Sequence, residues 1–177
     1  NIIIQVLYLL LPCFVANMSP VFAKKLNILK FLDKPVDFNK KFRNKRLLGK
    51  NKTFRGFATG IITATIVVYL QTLFYSISLS ILPYQEINFL LLGTTIGFFT
   101  LLGDSIESFF KRQFNIAPGK PFIPFDQIDS ATFALLGIYL IYPLSLKIFL
   151  LGLMLTFLLT LLSNSTSYLL KIKETYW

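Results

Sequence analysis

Long runs of apolar residues, separated by short polar segments, dominate the pattern of this chain. Five such runs lie at roughly 2–22, 57–82, 87–102, 131–146 and 148–170. Because a helix of about 20 mostly apolar residues crosses the hydrocarbon core of a bilayer, these runs predict five transmembrane helices, of which 87–102 is short. The pattern therefore predicts an all-α integral membrane protein, built as a single polytopic domain over residues 1–177.

Two details of the pattern bear on the ends of the spans. The fourth and fifth runs are separated by little more than Lys147, which predicts a tight hairpin. The first run resembles a signal peptide, but it lacks a basic segment before it and a small-residue cleavage site before a soluble domain. We therefore expect the first run to be retained as a span.

Basic residues mark one side of the predicted bundle. The segment from Lys24 to Arg55 holds 12 Lys and Arg against two acids, whereas the connection 83–86 has no basic residue. Since Lys and Arg concentrate in cytoplasmic loops, the segments 24–55 and 104–129 are predicted to be cytoplasmic, with the N-terminus outside and the C-terminus inside. Within the first loop, 33–51 is predicted to be a loop or a pair of short amphipathic pieces. Lys147 is the one basic residue that disagrees with this orientation. The other basic residues agree with it: Lys111, Arg112, Lys120, Lys171 and Lys173.

Composition excludes several kinds of chemistry. The chain has no histidine and one cysteine, Cys13, so an intrachain disulfide, a cysteine-rich zinc site and a Ser-His-Asp triad are all excluded. Any metal must be held by oxygen atoms, which favours a hard cation such as magnesium. The net charge of +10 is typical of nucleic-acid binding, but the basic residues adjoin apolar runs, and membrane orientation explains them. We therefore expect no nucleic-acid partner.

The first polar stretch with candidate chemistry is 47–56, where the basic loop enters the second span. Gly49 and Gly56 allow a ligand to approach the backbone closely. Lys52, Thr53 and Arg55 supply donors for phosphate oxygens, and Arg55 can donate two hydrogen bonds in parallel. The alternative is an anchor at the level of the lipid headgroups, and we favour that role for the lysines before Lys50.

The second stretch, 103–112, combines one acid, one hydroxyl and two cations. If this stretch is helical, Asp104, Ser108, Lys111 and Arg112 fall at i, i+4, i+7 and i+8, on one stripe. A solvated helix end has a similar composition. However, Asp104 directly follows an apolar span, where a carboxylate is costly and usually functional. The position of Asp104 therefore favours a functional stripe.

The third stretch, 121–130, places Asp126 and Asp129 at the start of the fourth span, with the i, i+3 spacing of one helix face. Capping of the helix N-terminus is the alternative, at roughly 0.3–1 kcal/mol per acid. Together with Asp104, however, these are three of only eight acids in the chain. They could hold one or two magnesium ions opposite Lys and Arg, which is the equipment of phosphoryl or nucleotidyl transfer.

Four stretches, in this order along the chain, resemble the CDP-archaeol synthases, which belong with the CTP-dependent phosphatidate cytidylyltransferases. They are Pro12–Pro20, Leu48–Gly56, Gly103–Arg112 and Asp126–Asp129. The resemblance implies a magnesium-dependent transferase of the cell membrane that converts CTP and a lipid phosphate into a CDP-lipid and pyrophosphate for phospholipid biosynthesis. Because a lipid phosphate is already anionic, this chemistry needs no histidine and no nucleophilic serine.

The resemblance also implies roles for individual residues. The implied metal ligands are Asp104, Asp126 and Asp129, and the implied catalytic cations are Lys52, Arg55, Lys111 and Arg112. The implied substrate-binding residues are Asn17, Asp37, Gly49, Thr53, Gly56, Ser108 and Gln127. Pro118-Gly119-Lys120 stands where diacyl enzymes of this group carry a Lys-Asp pair, and their histidine-glycine segment is absent. Both departures favour the archaeol-type branch over the diacyl one.

Other classes of membrane protein fit the sequence less well. The aspartate run of the CDP-alcohol phosphotransferases and the polar loop of small acyltransferases are both absent. A transporter subunit predicts ionisable residues at mid-span, and none of the five spans has one there. A non-enzymatic protein that binds anionic lipid through the basic loop leaves the three aspartates unexplained. A homodimer is one assembly that the sequence allows.

Overall fold

Five α-helices make up most of the fold in the computed structural model, which describes residues 1–42, 45–49, 51–117 and 120–169. The helices are α1 (Ile2–Lys25), α2 (Phe54–Leu73), α3 (Phe89–Gln113), α4 (Phe125–Ile141) and α5 (Leu146–Leu169). The polar connection between α1 and α2 carries one turn of 3-10 helix (Lys30–Leu32) and an antiparallel pair of two-residue strands, β1 (Lys41–Phe42) and β2 (Lys45–Arg46). Lys50, Pro118, Gly119, Lys171 and Lys173, which entered the predictions above, lie outside the described residues.

The helices have the length and composition of membrane spans. Within the described residues, α1, α2, α3 and the part of α5 from Leu146 to Thr166 are long and apolar enough to cross a bilayer, whereas α4, with 17 residues, is shorter. The predicted class, an all-α integral membrane protein with about five helices, is therefore confirmed. The limits of each span and the orientation in the membrane stay predictions.

Three helices differ from the predicted spans in their limits: α2, α3 and α4, the last of which runs from Phe125 to Ile141 rather than over 131–146. Helix α2 ends at Leu73 rather than near 82, because serines and Pro83 follow it and favour turns over helix. Helix α3 continues to Gln113 and α4 begins at Phe125, so both ends of the predicted cytoplasmic segment 104–129 are helical. Lys147 likewise lies in the first turn of α5, and the hairpin turn is formed by the residues before Leu146.

Helix α3 occupies the centre of the bundle and packs against α2 on one side and α4 on the other. Gly93 and Gly97 allow the backbones of α3 and α2 to come together. A Cβ atom on Gly93 would lie 2.5 Å from the Cα of Thr65, and one on Gly97 would lie 2.6 Å from the Cα of Ile61. Small residues spaced four apart commonly permit such close packing between membrane helices.

Threonine hydroxyls inside the helices are satisfied locally. Thr65 donates to the carbonyl of Ile61 at 2.8 Å, Thr100 to that of Ile96 at 2.7 Å, and Thr156 to that of Gly152 at 2.9 Å. Because no water is present in the bilayer core to accept these protons, a bond to the preceding turn lets a hydroxyl sit in an apolar helix.

We expect Gly97→Val to lower the free energy of unfolding by roughly 1–3 kcal/mol, because the added side chain must push α2 and α3 apart. The measurement is thermal unfolding in detergent, monitored by circular dichroism. Gly49→Ala is the matched control, since a Cβ at Gly49 meets no heavy atom within 4 Å. Equal midpoints for the two variants would contradict the proposed close packing.

Candidate active site

Polar side chains gather at one end of the bundle, where α1 and α3 finish and α2 and α4 begin. The chain direction alternates between consecutive helices, so these four ends meet although they are far apart in sequence. This end combines residues from all three predicted stretches: Lys52 from the first, Asp104 from the second, and Asp129 from the third. The structure therefore places the predicted chemistry in one region of the molecule.

Three carboxylates form the centre of this region, and we call them the acidic cluster: Asp104, Glu107 and Asp129. One oxygen atom from each lies within 4.8 Å of the others. Gly103 permits this, because a Cβ on Gly103 would lie 2.7 Å from the backbone carbonyl oxygen of Asp129. The close approach of α3 and α4 at Gly103 therefore sets the distance between the carboxylates of the two helices.

Two lysines partly offset the negative charge of the acidic cluster. Lys52 forms an ion pair with Asp104, and Lys111 forms one with Glu107 at 2.9 Å. The Oδ1 atom of Asp129 accepts hydrogen bonds from the backbone N–H of Ser130 at 2.6 Å and from its hydroxyl at 3.2 Å. Among the described residues, no ion pair involves Asp129, so one carboxylate of the cluster has no cationic partner.

Asp126 lies beside the acidic cluster but is not part of it. Its carboxylate pairs with Lys111 at 2.8 Å and accepts the backbone N–H of Phe122 at 3.0 Å. The ammonium group of Lys111 therefore bridges Asp126 and Glu107. Glu107, which was not among the predicted ligands, joins Asp104 and Asp129 instead. Glu107 follows Asp104 by three residues, so once 104–113 is taken as helix, the sequence spacing predicts that both carboxylates lie on the same helix face.

A polar cavity adjoins the acidic cluster on the side of α1 and α2. It has two neighbouring parts, of about 480 and about 230 Å³, which share Pro20, Val21, Asn51 and Thr53. The smaller part reaches Asp104, and its other polar lining residues are Asn17, Lys52 and Ser105. The larger part is lined by Lys24, Lys25, Asp33 and Arg55. The cavity therefore connects a group of cations to Asp104 of the acidic cluster.

The start of α2 determines how Arg55 and Thr53 are presented to this cavity. Thr53 caps the helix, since its hydroxyl oxygen accepts the N–H of Gly56 at 3.2 Å. Gly56 faces Pro20 of α1, whose Cβ would lie 3.4 Å from a Cβ at that position. The guanidinium of Arg55 is buried and pairs with the half-exposed carboxylate of Asp33 at 2.9 Å. The carboxylate of Asp33 therefore places a negative charge among the cationic side chains that line this cavity.

Other predicted site residues lie further from the acidic cluster or make different contacts. Arg112 donates to the carbonyl of Ile116 at 2.8 Å and so closes the last turn of α3. Ser108 and Gln127 are buried, and the side-chain oxygen of Gln127 accepts no hydrogen bond from any residue that the structure describes. Gly49 lies in the connection before α2, with open space around it. The predicted roles of these four residues stay predictions.

Asp37 organises the connection between α1 and α2. Its buried carboxylate accepts hydrogen bonds from Arg46 at 3.2 and 3.3 Å, from the N–H of Leu48 at 3.0 Å and from the N–H of Asn39 at 3.0 Å. Burial alone would raise the pKa of Asp37, but these hydrogen bonds and the charge of Arg46 outweigh it and lower the pKa below the ordinary 3.8. The contacts indicate that Asp37 shapes the loop around the cavity.

We expect Asp37→Asn to loosen the segments 38–42 and 45–48, at a local cost of roughly 1.5–3 kcal/mol for the lost charged hydrogen bonds. The readout is faster amide hydrogen exchange in those segments, with Glu86→Gln, at an exposed acid elsewhere, as the control. Because the folded pKa of Asp37 is lowered, its contribution is complete above pH 3.8 and is lost as the pH falls through the folded value. Unchanged exchange in Asp37→Asn would contradict this role.

The acidic cluster has the donor set that a hard divalent cation requires. All three ligand groups are carboxylates, and the chain has no histidine to compete for a softer metal. Three carboxylates this close also repel one another, and only two are matched by lysines. The residues present therefore fit magnesium, with Asp104, Glu107 and Asp129 as the groups that could hold it.

Bundle and site together define a class, the multi-pass membrane enzymes with a carboxylate site at one end of the helices. A solved structure supports this class: an intramembrane enzyme for archaeal membrane lipid biosynthesis matches with a TM-score of 0.71 and 27% identity, over 89% of this chain and 91% of the other. The profile of the family described as CarS-like: CDP-archaeol synthase matches residues 1–177. The chain belongs to this family.

Individual relatives agree with the family assignment over nearly the whole chain. A CDP-archaeol synthase of Staphylothermus marinus is 33% identical over 170 residues, covering 92% of this chain and 86% of the relative. The CDP-archaeol synthase of Pyrococcus furiosus is 32% identical and covers 99% of this chain and 98% of the relative. The CDP-archaeol synthase of Pyrobaculum calidifontis is 33% identical, and the match covers 100% of this chain and 99% of the relative. The resemblance stated from the sequence motifs is therefore confirmed.

Proposed function

We propose that this chain is a magnesium-dependent cytidylyltransferase that converts CTP and a lipid phosphate into a CDP-lipid and pyrophosphate. Family membership supports the cytidylyltransferase activity. One observation about the structure carries the rest: the acidic cluster lies at the end of a cationic cavity, inside a bundle of membrane helices. Such a site can bring a polyphosphate and a lipid headgroup to the same carboxylates.

The phosphates of CTP fit the polar cavity between α1 and α2. Arg55 and the lysines at 24, 25 and 52 supply positive charge along it, and the N-terminus of α2 adds the partial charge of its free N–H groups. Asp33 and Asp104, which now pair with Arg55 and Lys52, hold these cations in place until a phosphate replaces the carboxylates as their partner. Asn17 and Asn51 add uncharged hydrogen-bonding groups.

The reaction exchanges one phosphoanhydride bond for another. An oxygen of the lipid phosphate attacks the α-phosphorus of CTP and forms the new P–O–P linkage, while the bond from the α-phosphorus to the bridging oxygen breaks and releases pyrophosphate. No proton has to be removed from the nucleophile, because the lipid phosphate is already anionic. Charge neutralisation and alignment of two polyanions are therefore the main tasks of the site.

Asp104, Glu107 and Asp129 would hold one or two magnesium ions at this point. Bound magnesium would neutralise phosphate charge and stabilise the developing charge on the leaving group. The protein's own part is to keep the three carboxylates converged through the Gly103 contact and to set their charge through Lys52 and Lys111. Asp126 would act on this set through Lys111, with which it forms an ion pair.

Basic residues favour a cytoplasmic location for this end of the bundle, where CTP is available. Every residue of the proposed site comes from one chain, so the proposal needs no homodimer. The lipid phosphate is proposed to carry ether-linked isoprenoid chains, as the name of the relatives implies. A non-enzymatic lipid-binding protein or transporter subunit gives no reason for three converging carboxylates and is not favoured by the family match.

The test is the purified full chain in detergent micelles with radiolabelled CTP, magnesium and either an ether-isoprenoid or a diacyl lipid phosphate. We expect a labelled CDP-lipid and stoichiometric pyrophosphate, with the ether-isoprenoid substrate preferred. Removing divalent cations with a chelator should abolish the product, and adding magnesium back should restore it. No CDP-lipid from either substrate would overturn the proposal, and full activity with chelator would overturn its metal dependence.

A further inference from the structure

The segment that follows α1 exposes large apolar side chains at the polar end of the bundle. We call residues 26–34 the anchor segment. The exposed fractions are 65% for Leu26, 47% for Ile28 and 72% for Phe31. A cluster of exposed apolar side chains commonly marks a surface that another molecule or a membrane covers. Because the anchor segment begins at the end of a membrane helix, the bilayer is the nearest apolar phase to it.

Lysines accompany the apolar side chains of the anchor segment. Lys30 lies between Ile28 and Phe31, Lys34 ends the segment, and both lysines are exposed. Among the ion pairs of the described residues, none involves either of them. Exposed apolar side chains next to unpaired cations match the surface of a bilayer that contains anionic lipid. There the apolar groups enter the edge of the hydrocarbon, and the cations meet the headgroups.

One face of α1 leads directly to the anchor segment. Met18 and Phe22 are four residues apart on this face, Leu26 follows at the same interval, and all three are exposed. Since α1 has the length and composition of a membrane span, we expect this face to meet lipid. The anchor segment therefore continues an apolar surface from the helix to the level of the headgroups.

Backbone hydrogen bonds hold both ends of the anchor segment. At the first end, the N–H of Ile28 donates to the carbonyl of Ala23 at 3.0 Å, and Asn27 has a left-handed φ of 55°, which is a common way for a helix to finish. At the second end, the carbonyl of Lys34 accepts the N–H of Phe54, in the first turn of α2, at 3.0 Å. The anchor segment is therefore a shaped link between α1 and α2.

The second end of the anchor segment also reaches two cations of the polar cavity. Asp33 pairs with Arg55 at 2.9 Å, and the N–H of Val36 donates to the carbonyl of Lys52 at 2.9 Å. Lys52 and Arg55 belong to the proposed phosphate site. A force that holds the anchor segment in place therefore also holds these two cations.

We infer that the anchor segment binds the surface of a bilayer that contains anionic phospholipid, and that this contact positions Lys52 and Arg55. The lipid in this contact is a component of the surrounding bilayer rather than the substrate. The described lining of the polar cavity includes neither Lys30 nor Lys34, so both are available to headgroups while CTP is bound. Binding to the bilayer is independent of the proposed function, whereas its effect on the reaction rests on that function.

Fluorescence quenching tests the contact with the bilayer. Trp177→Phe removes the single tryptophan of the chain, and Phe31→Trp then places a probe in the anchor segment. The full chain is placed in nanodiscs of partly anionic phospholipid, with bromine either near the headgroup end of the lipid chains or near their far end. We expect the shallow bromines to quench at least about twice as much fluorescence as the deep ones, because an interfacial segment enters the bilayer by only roughly 5–10 Å.

Activity tests whether this contact positions the two cations. The value of kcat for CDP-lipid formation is measured in nanodiscs of zwitterionic or of partly anionic phospholipid, at saturating CTP because an anionic surface repels the free nucleotide. Lys30→Gln/Lys34→Gln removes two charges from the anchor segment, and Lys40→Gln/Lys41→Gln, at exposed lysines further along the connection, is the matched control. We expect anionic lipid to raise kcat about threefold in the wild type and the control, and less than about 1.5-fold in Lys30→Gln/Lys34→Gln.

The two measurements fail in different ways. Absence of quenching, or equal quenching at both depths, would overturn the bilayer contact, and disulfide cross-links between two copies of Phe31→Cys would then assign the surface to self-association. The same rise in kcat for Lys30→Gln/Lys34→Gln as for the wild type, or the same loss in the control, would overturn the effect on the cations. If no CDP-lipid forms at all, the proposed function fails, while quenching still decides whether the anchor segment binds the bilayer.

Discussion

Asp129→Asn is expected to lower kcat for CDP-lipid formation by roughly 10²–10³-fold, because it removes the one carboxylate of the acidic cluster that has no lysine partner. The amide keeps the size of the side chain, and its oxygen can still accept the hydrogen bonds from Ser130. Loss of folding is therefore not the expected cause. Activity should be measured across a magnesium titration, where the variant should also need a higher concentration for half-saturation.

Asp126→Asn is the informative comparison for Asp129→Asn. Asp126 pairs with Lys111 instead of joining the cluster, so its loss should cost only about tenfold, the lower end of what groups that orient metal ligands contribute. Glu86→Gln, at the opposite end of the bundle, should retain wild-type activity. If Asp126→Asn is as inactive as Asp129→Asn, the metal site contains Asp126, as the sequence resemblance implied, and the assignment of Glu107 must be revised.

The existence of the helices could be predicted from the sequence, but several of their ends could not. A run of apolar residues indicates which part of the chain lies in the hydrocarbon core. A helix, by contrast, ends where its backbone hydrogen bonds end, and this point need not coincide with the end of the apolar run. Helix α3 therefore continues past the apolar run into 104–113, supported by the i, i+4 pair of Glu107 and Lys111. Helix α2 stops before its apolar run does, because turn-forming residues follow Leu73.

Candidate site residues were predictable as a group, but their partners were not. Asp104 and Lys52 are 52 positions apart, and only the packing of α3 against α2 shows that they meet. Asp126 and Asp129 share a helix face by their spacing, yet three residues of helix still turn the side chain by about 60°. That rotation is enough to direct Asp129 to the cluster and Asp126 to Lys111.

Lys111→Met is expected to lower the free energy of unfolding by about 3 kcal/mol, because it leaves two largely buried carboxylates without their shared cation. The side-chain exposed fractions are 13% for Lys111, 8% for Glu107 and 23% for Asp126, so water can compensate little of the lost charge. Thermal unfolding in detergent should show the loss, and Lys111→Arg should restore most of it. A wild-type midpoint for Lys111→Met would show that the ammonium does not compensate these carboxylates.

The double variant Lys111→Met/Asp126→Asn decides between two roles for Lys111. If Lys111 serves to hold Glu107 and Asp126, removing the charge of Asp126 together with the lysine should recover at least half of the lost stability and part of the activity. If its ammonium binds a substrate phosphate, as the resemblance implied, the double variant should recover stability while kcat/KM stays as low as in Lys111→Met. Because Lys111 already contacts two carboxylates at 2.9 and 2.8 Å, we expect the first result.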